Sequence, residues 1–333
     1  MEPSGRRPTG ADVARLAGVN QASVSRVFAG KASGRVSPEI EERIREAART
    51  LGYQPHASGR SLRSGRTDAL GLVVTDFENP YFGGVSRGAQ REARAQGRSI
   101  VLMEADFDGE TFLPYQALDA GLVDGLLLFS IGPPPRTAAR PGQVTLIESE
   151  QDGFGSVVFD SALGMNQAVT HLTGLGHRRI GYLGAAIDRW TFRHRHAAWL
   201  AAMESIAPDA AGPEASAPLN LDAAALATRR LLSSGRPPTA LICADDVLAA
   251  GAFRAAAELG LSIPGDLSVV GFGGTIVGDA VWPRLTGIAA SGSELGAAAV
   301  ALHLAQQQTP TVLAVELIPR GSTGRALSES GAH

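Results

Sequence analysis

The sequence predicts an α/β protein built from an N-terminal three-helix helix-turn-helix head, a hinge, and two doubly wound parallel-sheet lobes. Three observations carry the prediction. Residues 9–28 read as two short helices joined by a Gly18-Val19-Asn20 turn. From Ala69 onward, apolar runs of strand length alternate with helical stretches, the pattern of parallel sheets covered on both faces. Charge is also divided, because residues 1–66 hold 12 Lys and Arg against 6 Asp and Glu, a net of +6. The remainder holds 18 against 27, a net of −9, within an overall charge of −3. A basic head on an acidic body suits contact with phosphates at one end.

Each head element has its own signals. Thr9 with Asp12 forms a capping-box pattern, and Val13, Leu16 and Ala17 give the first helix an apolar stripe. Asn20 is placed to cap the second helix, whose Val24, Val27 and Phe28 are expected to face inward. That leaves Gln21, Ala22, Ser25 and Arg26 outward, where a recognition helix meets the major groove. Ser37, Pro38 and Gly52 bracket a third helix with an Ile40, Ile44, Ala47, Ala48 and Leu51 face. Residues 53–66 are short and basic, with Gly and Ser. Pro55 could start a turn or two of helix ending near Leu62, and an apolar wedge flanked by Arg60 and Arg63 is what minor-groove insertion requires. A plain linker explains the same composition.

In the body, strands are expected at Leu70–Thr75, Ser99–Met103, Gly125–Phe129, Ile180–Leu183, Ala240–Cys243 and Ser268–Phe272. Helices are expected near 80–96, 162–175, 192–205, 223–234 and 247–259. About 260 residues of this alternation exceed one small sheet, so two lobes are expected. Pro133–Pro135 and the Ala/Pro/Gly-rich Ala207–Pro218 read as surface loops.

Several function classes lack support. The single cysteine, Cys243, lies in an apolar run and reads as a buried strand residue, so neither an internal disulfide nor a cysteine-cluster zinc site is expected. Residues 1–10 are polar and no apolar run reaches membrane-span length, so a cytoplasmic protein is expected. Gly271-Phe-Gly-Gly274 has no third glycine opening a helix, which argues against dinucleotide binding. Asp245-Asp246 stands without a second acidic cluster, and His171 and His177 read as structural. No catalytic residue, metal site or cofactor is expected, and the chain is read as no enzyme.

The head motif Asp12-Val-Ala…Ala17-Gly-Val…Val24-Ser-Arg-Val27 is followed in order by Arg60-Ser-Leu62, Asn79-Pro-Tyr-Phe82, Val123-Asp-Gly125 and His171-Leu-Thr-Gly-Leu-Gly-His177. Gly260–Gly271 and Pro319-Arg-Gly-Ser-Thr323 complete the series. Together they resemble the lactose-repressor (LacI/GalR) family of bacterial transcription regulators over nearly the whole chain. The resemblance implies a homodimeric regulator, most simply a repressor because occupancy alone can block polymerase, on a near-palindromic double-stranded DNA operator. It implies a periplasmic-binding-protein-like body with a small-molecule effector, a sugar or other metabolite, between its lobes. The implied parts are a flexible tail at 1–8, the helix-turn-helix domain at 9–54, the hinge at 55–66, and an effector-binding and dimerisation domain at 67–333. Lobe 1 then covers about 67–159 and 290–318, and lobe 2 about 160–289 and 319–325, with crossings near Asp160, Ala289 and Pro319. Gly321–His333 contains no leucine heptad, so no terminal tetramer bundle is expected.

By the same resemblance, Gln21, Ala22 and Arg26 fall at base-reading positions, with Arg26 the best candidate for a guanine contact. Thr9 and Ser25 suit phosphates, Arg35, His56 and Arg60 join the DNA-contacting set, and Leu62 falls at the wedge. The hinge departs from the family pattern at Gly59, where alanine is usual and glycine costs a helix roughly 1 kcal/mol. Ala29 replaces a usual asparagine. For the effector, Tyr81, Phe82, Asp160, Arg195 and Asp245 match cleft positions. Polar groups usual in the family are replaced by Gly273 and Ala290, and Ile147 followed by Glu148 stands where an aspartate is common. Two readings stay open: an effector less polar than a plain sugar, or an effector-independent regulator whose cleft has lost its ligand.

Overall fold

Helix α1 (Gly10–Ala17) opens where the Thr9 N–H and hydroxyl both donate to Asp12 Oδ2, at 2.9 and 2.6 Å. It stops at Gly18, in the left-handed conformation. Helix α2 (Gln21–Phe28) starts from Asn20, whose Oδ1 accepts from the Ser23 N–H at 2.8 Å. Helix α3 (Pro38–Leu51) is capped by Ser37 and ends at Gly52. Val13, Ala14, Ala17, Val24, Val27, Ile44, Ala47 and Ala48 close one small core. Two expectations change here. Leu16 is 53% exposed, with Ala14 on the buried stripe in its place, because the small residues let α1 lie close on α3. Phe28 is only half-buried and meets Tyr53 edge-on, with ring centroids 5.7 Å apart.

This computed structural model describes residues 8–28, 32, 34–53, 66–105, 113–131 and 142–326, and it divides after Thr67 into two compact units. The hinge residues His56, Gly59, Arg60 and Leu62, and the loop Pro133–Pro135, lie outside the described residues.

The second unit contains two six-stranded sheets. The first sheet uses β1 (Ala69–Val74), β2 (Ser99–Glu104), β3 (Gly125–Phe129), β4 (Val144–Ile147), β5 (Gly155–Phe159) and β11 (Thr311–Leu313), in the order β11-β5-β4-β3-β1-β2. All its pairings are parallel. Helices α4 (Tyr81–Ala95), α5 (Leu113–Asp119) and α11 (Gly292–Leu304) belong to this lobe.

The second sheet uses β6 (Ile180–Ala185), β7 (Ala211–Ala217), β8 (Ala240–Cys243), β9 (Ser268–Gly273), β10 (Thr286–Ala289) and β12 (Glu316–Ile318), in the order β12-β10-β9-β8-β6-β7. Only the β10–β12 pair is antiparallel. Helices α6 (Ser161–Gly174), α7 (Trp190–Ile206), α8 (Leu221–Leu232), α9 (Asp246–Glu258) and the short α10 (Ile276–Ala280) complete this lobe. Cys243 is fully buried in β8.

The chain passes between sheets at Asp160, at Ala290-Ser291 and at Ala314-Val315. The third passage corrects the expectation of a crossing near Pro319, since Glu316–Ile318 already pairs with β10. The stretch Ala207–Pro218, expected as loop, is largely the edge strand β7. Its Pro213 is tolerated because an edge strand leaves one row of N–H groups unpaired, and the register with β6 shifts there.

Two close contacts set the first lobe. A Cβ at Gly296 would lie 2.1 Å from Val85 O, and one at Gly88 would lie 1.9 Å from Ser293 O. Helices α4 and α11 therefore touch backbone to backbone. Beside them His303 is buried, its Nδ1 3.0 Å from Thr145 Oγ1, and burial pushes its imidazole down to about 4. In the second lobe, His177 bonds Thr239, Ser268 and the Gly324 carbonyl, while His171 bonds Thr323. Both histidines anchor the strap that follows β12.

Candidate functional site

The first candidate surface is the outer face of α2. Burying Val24 and Val27 at 2% exposure each fixes the rotation of the helix. Gln21, Ala22 and Arg26 are thereby exposed and Ser25 half-exposed. Thr9, at the start of α1, spends its hydroxyl hydrogen on Asp12. Arg35 is exposed. Arg43, in contrast, donates to the Ala17 carbonyl at 2.6 Å and ties α3 to the end of α1.

The second candidate is a cavity of about 360 Å³ in the larger unit. Its walls come from the carboxyl ends of β1 (Thr75, Asp76), β3 (Phe129, Ser130), β8 (Asp245) and β9 (Phe272, Gly273), with Ile187 beyond β6. In both sheets the strand order reverses beside these strands, β1 against β3 and β6 against β8. Open α/β sheets bind ligands at such switch points. Two reversals face one space.

Tyr81 and Phe82, at the first turn of α4, line that space. With Phe129 they form edge-on pairs, the Phe82–Phe129 centroids 4.8 Å apart. The Tyr81 hydroxyl is buried without a hydrogen-bond partner. Burial first, and the Glu148 charge second, push its phenol well above the ordinary value, so it stays a neutral donor. Ser130 also buries an unpartnered hydroxyl, and its φ of 49° turns it off the end of β3.

Arg195, on α7, is 5% exposed. Its Nη1 donates to the Ala244 carbonyl at 2.8 Å, and its guanidinium covers the Phe272 ring at 3.9 Å from the centroid. Its Nη2 lies 3.3 Å from Glu148 Oε2, while Nε has no partner. Glu148, one residue past β4, also holds a φ of 50° and is 1% exposed. Its Oε1 accepts from the Phe159 N–H at 2.8 Å and its Oε2 from the Thr191 hydroxyl at 2.5 Å. A carboxylate from the first lobe is thus bonded to two side chains of the second.

Asp160 is not brought to this cavity. It caps α6 instead, its Oδ1 accepting from the Leu163 N–H at 2.8 Å. Conversely, the sequence reading omitted Asp76, Asn79, Ser130, Arg189, Thr191 and Asn220, all of which line the space. Behind Gly273, Asp246 is buried and accepts from the Thr275 N–H and hydroxyl at 2.7 and 2.9 Å. A Cβ at Gly273 would lie 3.2 Å from that carboxylate, and its φ of 147° favours glycine. An aspartate at 273 would meet Asp246, which accounts for the glycine physically.

Asp245 caps α9 through Oδ1, 2.8 Å from the Val247 N–H. Burial chiefly pushes its carboxyl up to about 6, with Asp246 adding and the Val247 bond and Arg195 opposing. The folded state therefore binds this proton more tightly than the unfolded one, and the contribution to stability falls as pH rises from about 4 to about 6. His303 slopes the other way, losing stability as pH falls from about 6.5 towards about 4. Asp245→Asn keeps the capping oxygen. It is expected to add about 2 kcal/mol at pH 7.5 and little at pH 4, checked by urea unfolding at both.

Known proteins resemble this chain in both the head and the larger unit. Residues 11–56 match the model for bacterial regulatory proteins of the lacI family, and residues 169–323 match a periplasmic binding protein-like domain. A ribose operon repressor of Halalkalibacterium halodurans is 31% identical over 298 residues, 89% of either chain. The HTH-type transcriptional repressor PurR of Haemophilus influenzae (strain PittEE) is 31% identical, covering 88% of this chain and 89% of its own. The crystal structure of the lac repressor dimer bound to operator and the anti-inducer ONPF superposes with a TM-score of 0.85 at 25% identity, covering 96% of this chain and all of that one. With a helix-turn-helix head, a two-sheet body and relatives matched along nearly its whole length, the chain belongs to the lacI family of bacterial regulatory proteins.

Proposed function

We propose that this chain is a cytoplasmic transcriptional repressor that binds a near-palindromic operator as a homodimer and is controlled by a small molecule in the cleft. The observation that carries the reading is α2, where two buried valines hold Gln21, Ala22 and Arg26 together on the exposed face. A rigid helix presenting a forked guanidinium and an amide is the arrangement that reads major-groove edges. Ser25 and Arg35, and Thr9 where its hydroxyl exchanges Asp12 for the DNA backbone, then serve phosphates, which fix register without reading sequence. His56, Arg60 and Leu62 supply the minor-groove contact at the centre of the operator.

Pairing is supported by large exposed apolar side chains in both lobes, among them Leu102 at 42%, Leu122 at 65%, Ile276 at 73% and Trp282 at 86%. The lac repressor on which this chain superposes was crystallised as a dimer bound to operator, which supports the same pairing here. Tyr81, Phe82, Arg195 and Asp245 bound the effector space, and the cavity volume suits one sugar- or nucleobase-sized ligand. That space favours effector control over a cleft that has lost its ligand. No catalytic role is assigned to any of these groups. Among the described residues no helix is long and apolar enough to cross a membrane, and no cluster of His, Cys, Asp and Glu is arranged to hold a metal ion.

Selection of bound sequences from random DNA with the purified chain tests the reading. The expected result is a two-fold symmetric site with a deformable central step. Recovery of unrelated sequences, or of a single unsymmetric half-site, would overturn it.

A further inference from the structure

The buried guanidinium in the cleft is already answered by a carboxylate of the protein itself. Glu148 comes from the first lobe, and Thr191 and Arg195 come from one face of α7 in the second. Glu148 is held from both sides, by the Phe159 N–H at the end of β5 and by the α7 pair. Its backbone sits in the left-handed region that β4 would otherwise leave, which aims the side chain across the cleft. The remaining capacity of the site is uncharged in character. The Tyr81 and Ser130 hydroxyls and Arg195 Nε lie buried without partners, beside a wall of Phe82, Phe129, Phe192 and Phe272. Further negative charge is close by on Asp245 and Asp246, both buried.

The geometry points to Glu148 as a resident anion that fills the anion-accepting side of Arg195, so that the cleft takes an uncharged hydroxylated ring and refuses phosphorylated or carboxylated metabolites. The inference rests on reading the cleft as the effector site. An incoming phosphate would have to displace a carboxylate tethered to the chain, and would meet Asp245, which also lines the space, with its like charge. A hydroxylated ring meets no such conflict. It can stack on the phenylalanines, accept from Nε and exchange hydrogen bonds with the two free hydroxyls. Glu148 then has a double part: it selects against charge, and it joins the lobes across the space the ligand enters.

The test compares wild type with Glu148→Ala, using acetate, inorganic phosphate, D-ribose and D-ribose 5-phosphate as probes in thermal-shift and calorimetric titrations. Removing the side chain leaves an acetate-sized space against Arg195. Acetate is expected to raise the Tm of Glu148→Ala and leave wild type unmoved. Ribose 5-phosphate is expected to bind the variant roughly a hundredfold tighter than it binds wild type. Adding Arg195→Ala should abolish both gains. Binding of phosphate or ribose 5-phosphate to wild type, lost in Arg195→Ala, would overturn the inference, as would a folded Glu148→Ala with no response to any anion.

Should Glu148→Ala fail to fold, Glu148→Gln keeps the size and the Phe159 bond while dropping the charge. Its affinity for ribose 5-phosphate must then rise above that of wild type, and the absence of a rise counts against the inference. If no uncharged ring binds wild type, the effector reading fails. The acetate response of the variant still decides the part played by Glu148.

Discussion

Gly296→Val is expected to unfold the larger unit or leave it only marginally folded, a loss above about 4 kcal/mol. A single Cβ at 296 would already sit 2.1 Å from the Val85 carbonyl oxygen and 2.9 Å from the Ala89 nitrogen. Those are backbone atoms of α4, which cannot rotate aside as a side chain can. Relief requires the two helices to separate. Separation would move Tyr81 and Phe82 at the head of α4, and would uncover the fully buried Val85, Leu295 and Val300. Gly83→Ala is the matched control, because nothing lies within 4 Å of its added Cβ. It sits on an accessible part of the same helix and is expected to gain about 0.5 kcal/mol by restricting the unfolded chain. Urea unfolding of the two variants separates the contact from any general intolerance of α4. A Gly296→Val protein with wild-type stability would show that α4 and α11 do not meet through this glycine.

Arg26→Ala is expected to weaken operator binding by about 1–3 kcal/mol per head and to relax base preference at one position of each half-site. Arg26 is exposed on a helix whose rotation Val24 and Val27 fix, so truncating it leaves the fold of the head intact. Arg35→Ala provides the contrast. Its loss is expected to lower affinity for all sequences alike and to reduce the salt slope by about one per head. Fluorescence anisotropy against the selected operator and a scrambled duplex, over a series of salt concentrations, distinguishes the two. If Arg26→Ala weakens both duplexes equally, Arg26 contacts the backbone and the reading of bases falls to Gln21 and Ala22.

The head was legible because its signals are local. Caps at Thr9, Asn20 and Ser37 and stops at Gly18 and Gly52 lie within a few residues of what they terminate. Leu16 escaped the reading since only the position of α3 decides whether Leu16 or Ala14 is covered. In the body, strands flanked by apolar residues on both faces, such as Leu70–Val74, announce themselves. Edge and terminal strands do not. The Ala211–Ala217 strand contains Pro and Gly, and the three-residue strands at 311–313 and 316–318 acquire identity only from their partners.

The cleft divides along the same line. Tyr81, Phe82, Arg195 and Asp245, expected from the resemblance of their local motifs, do line the cavity. Asp160 was expected there on the same ground, yet its side chain turns to the N-terminus of α6. Glu148 was visible in the sequence only as a longer acid where an aspartate is usual. Its bond to Arg195 spans 47 residues and two lobes, and no periodicity encodes that. The glycine at 273 likewise becomes intelligible only once Asp246 is seen against it.

The short passage Ala314-Val315 between β11 and β12 has a consequence for the order of synthesis. The first sheet has all its strands once Leu313 has been made, but the second waits for Glu316–Ile318 and for Ser322, whose hydroxyl bonds the Val269 carbonyl and the Thr286 N–H. Most of the second lobe thus emerges from the ribosome before the first lobe is finished and yet is the last to receive its edge strand. The head, with its core between Val13 and Ala48, needs none of this. Translation that stops near residue 313 would release an intact head core and a complete first sheet joined to a second sheet that lacks its edge strand β12.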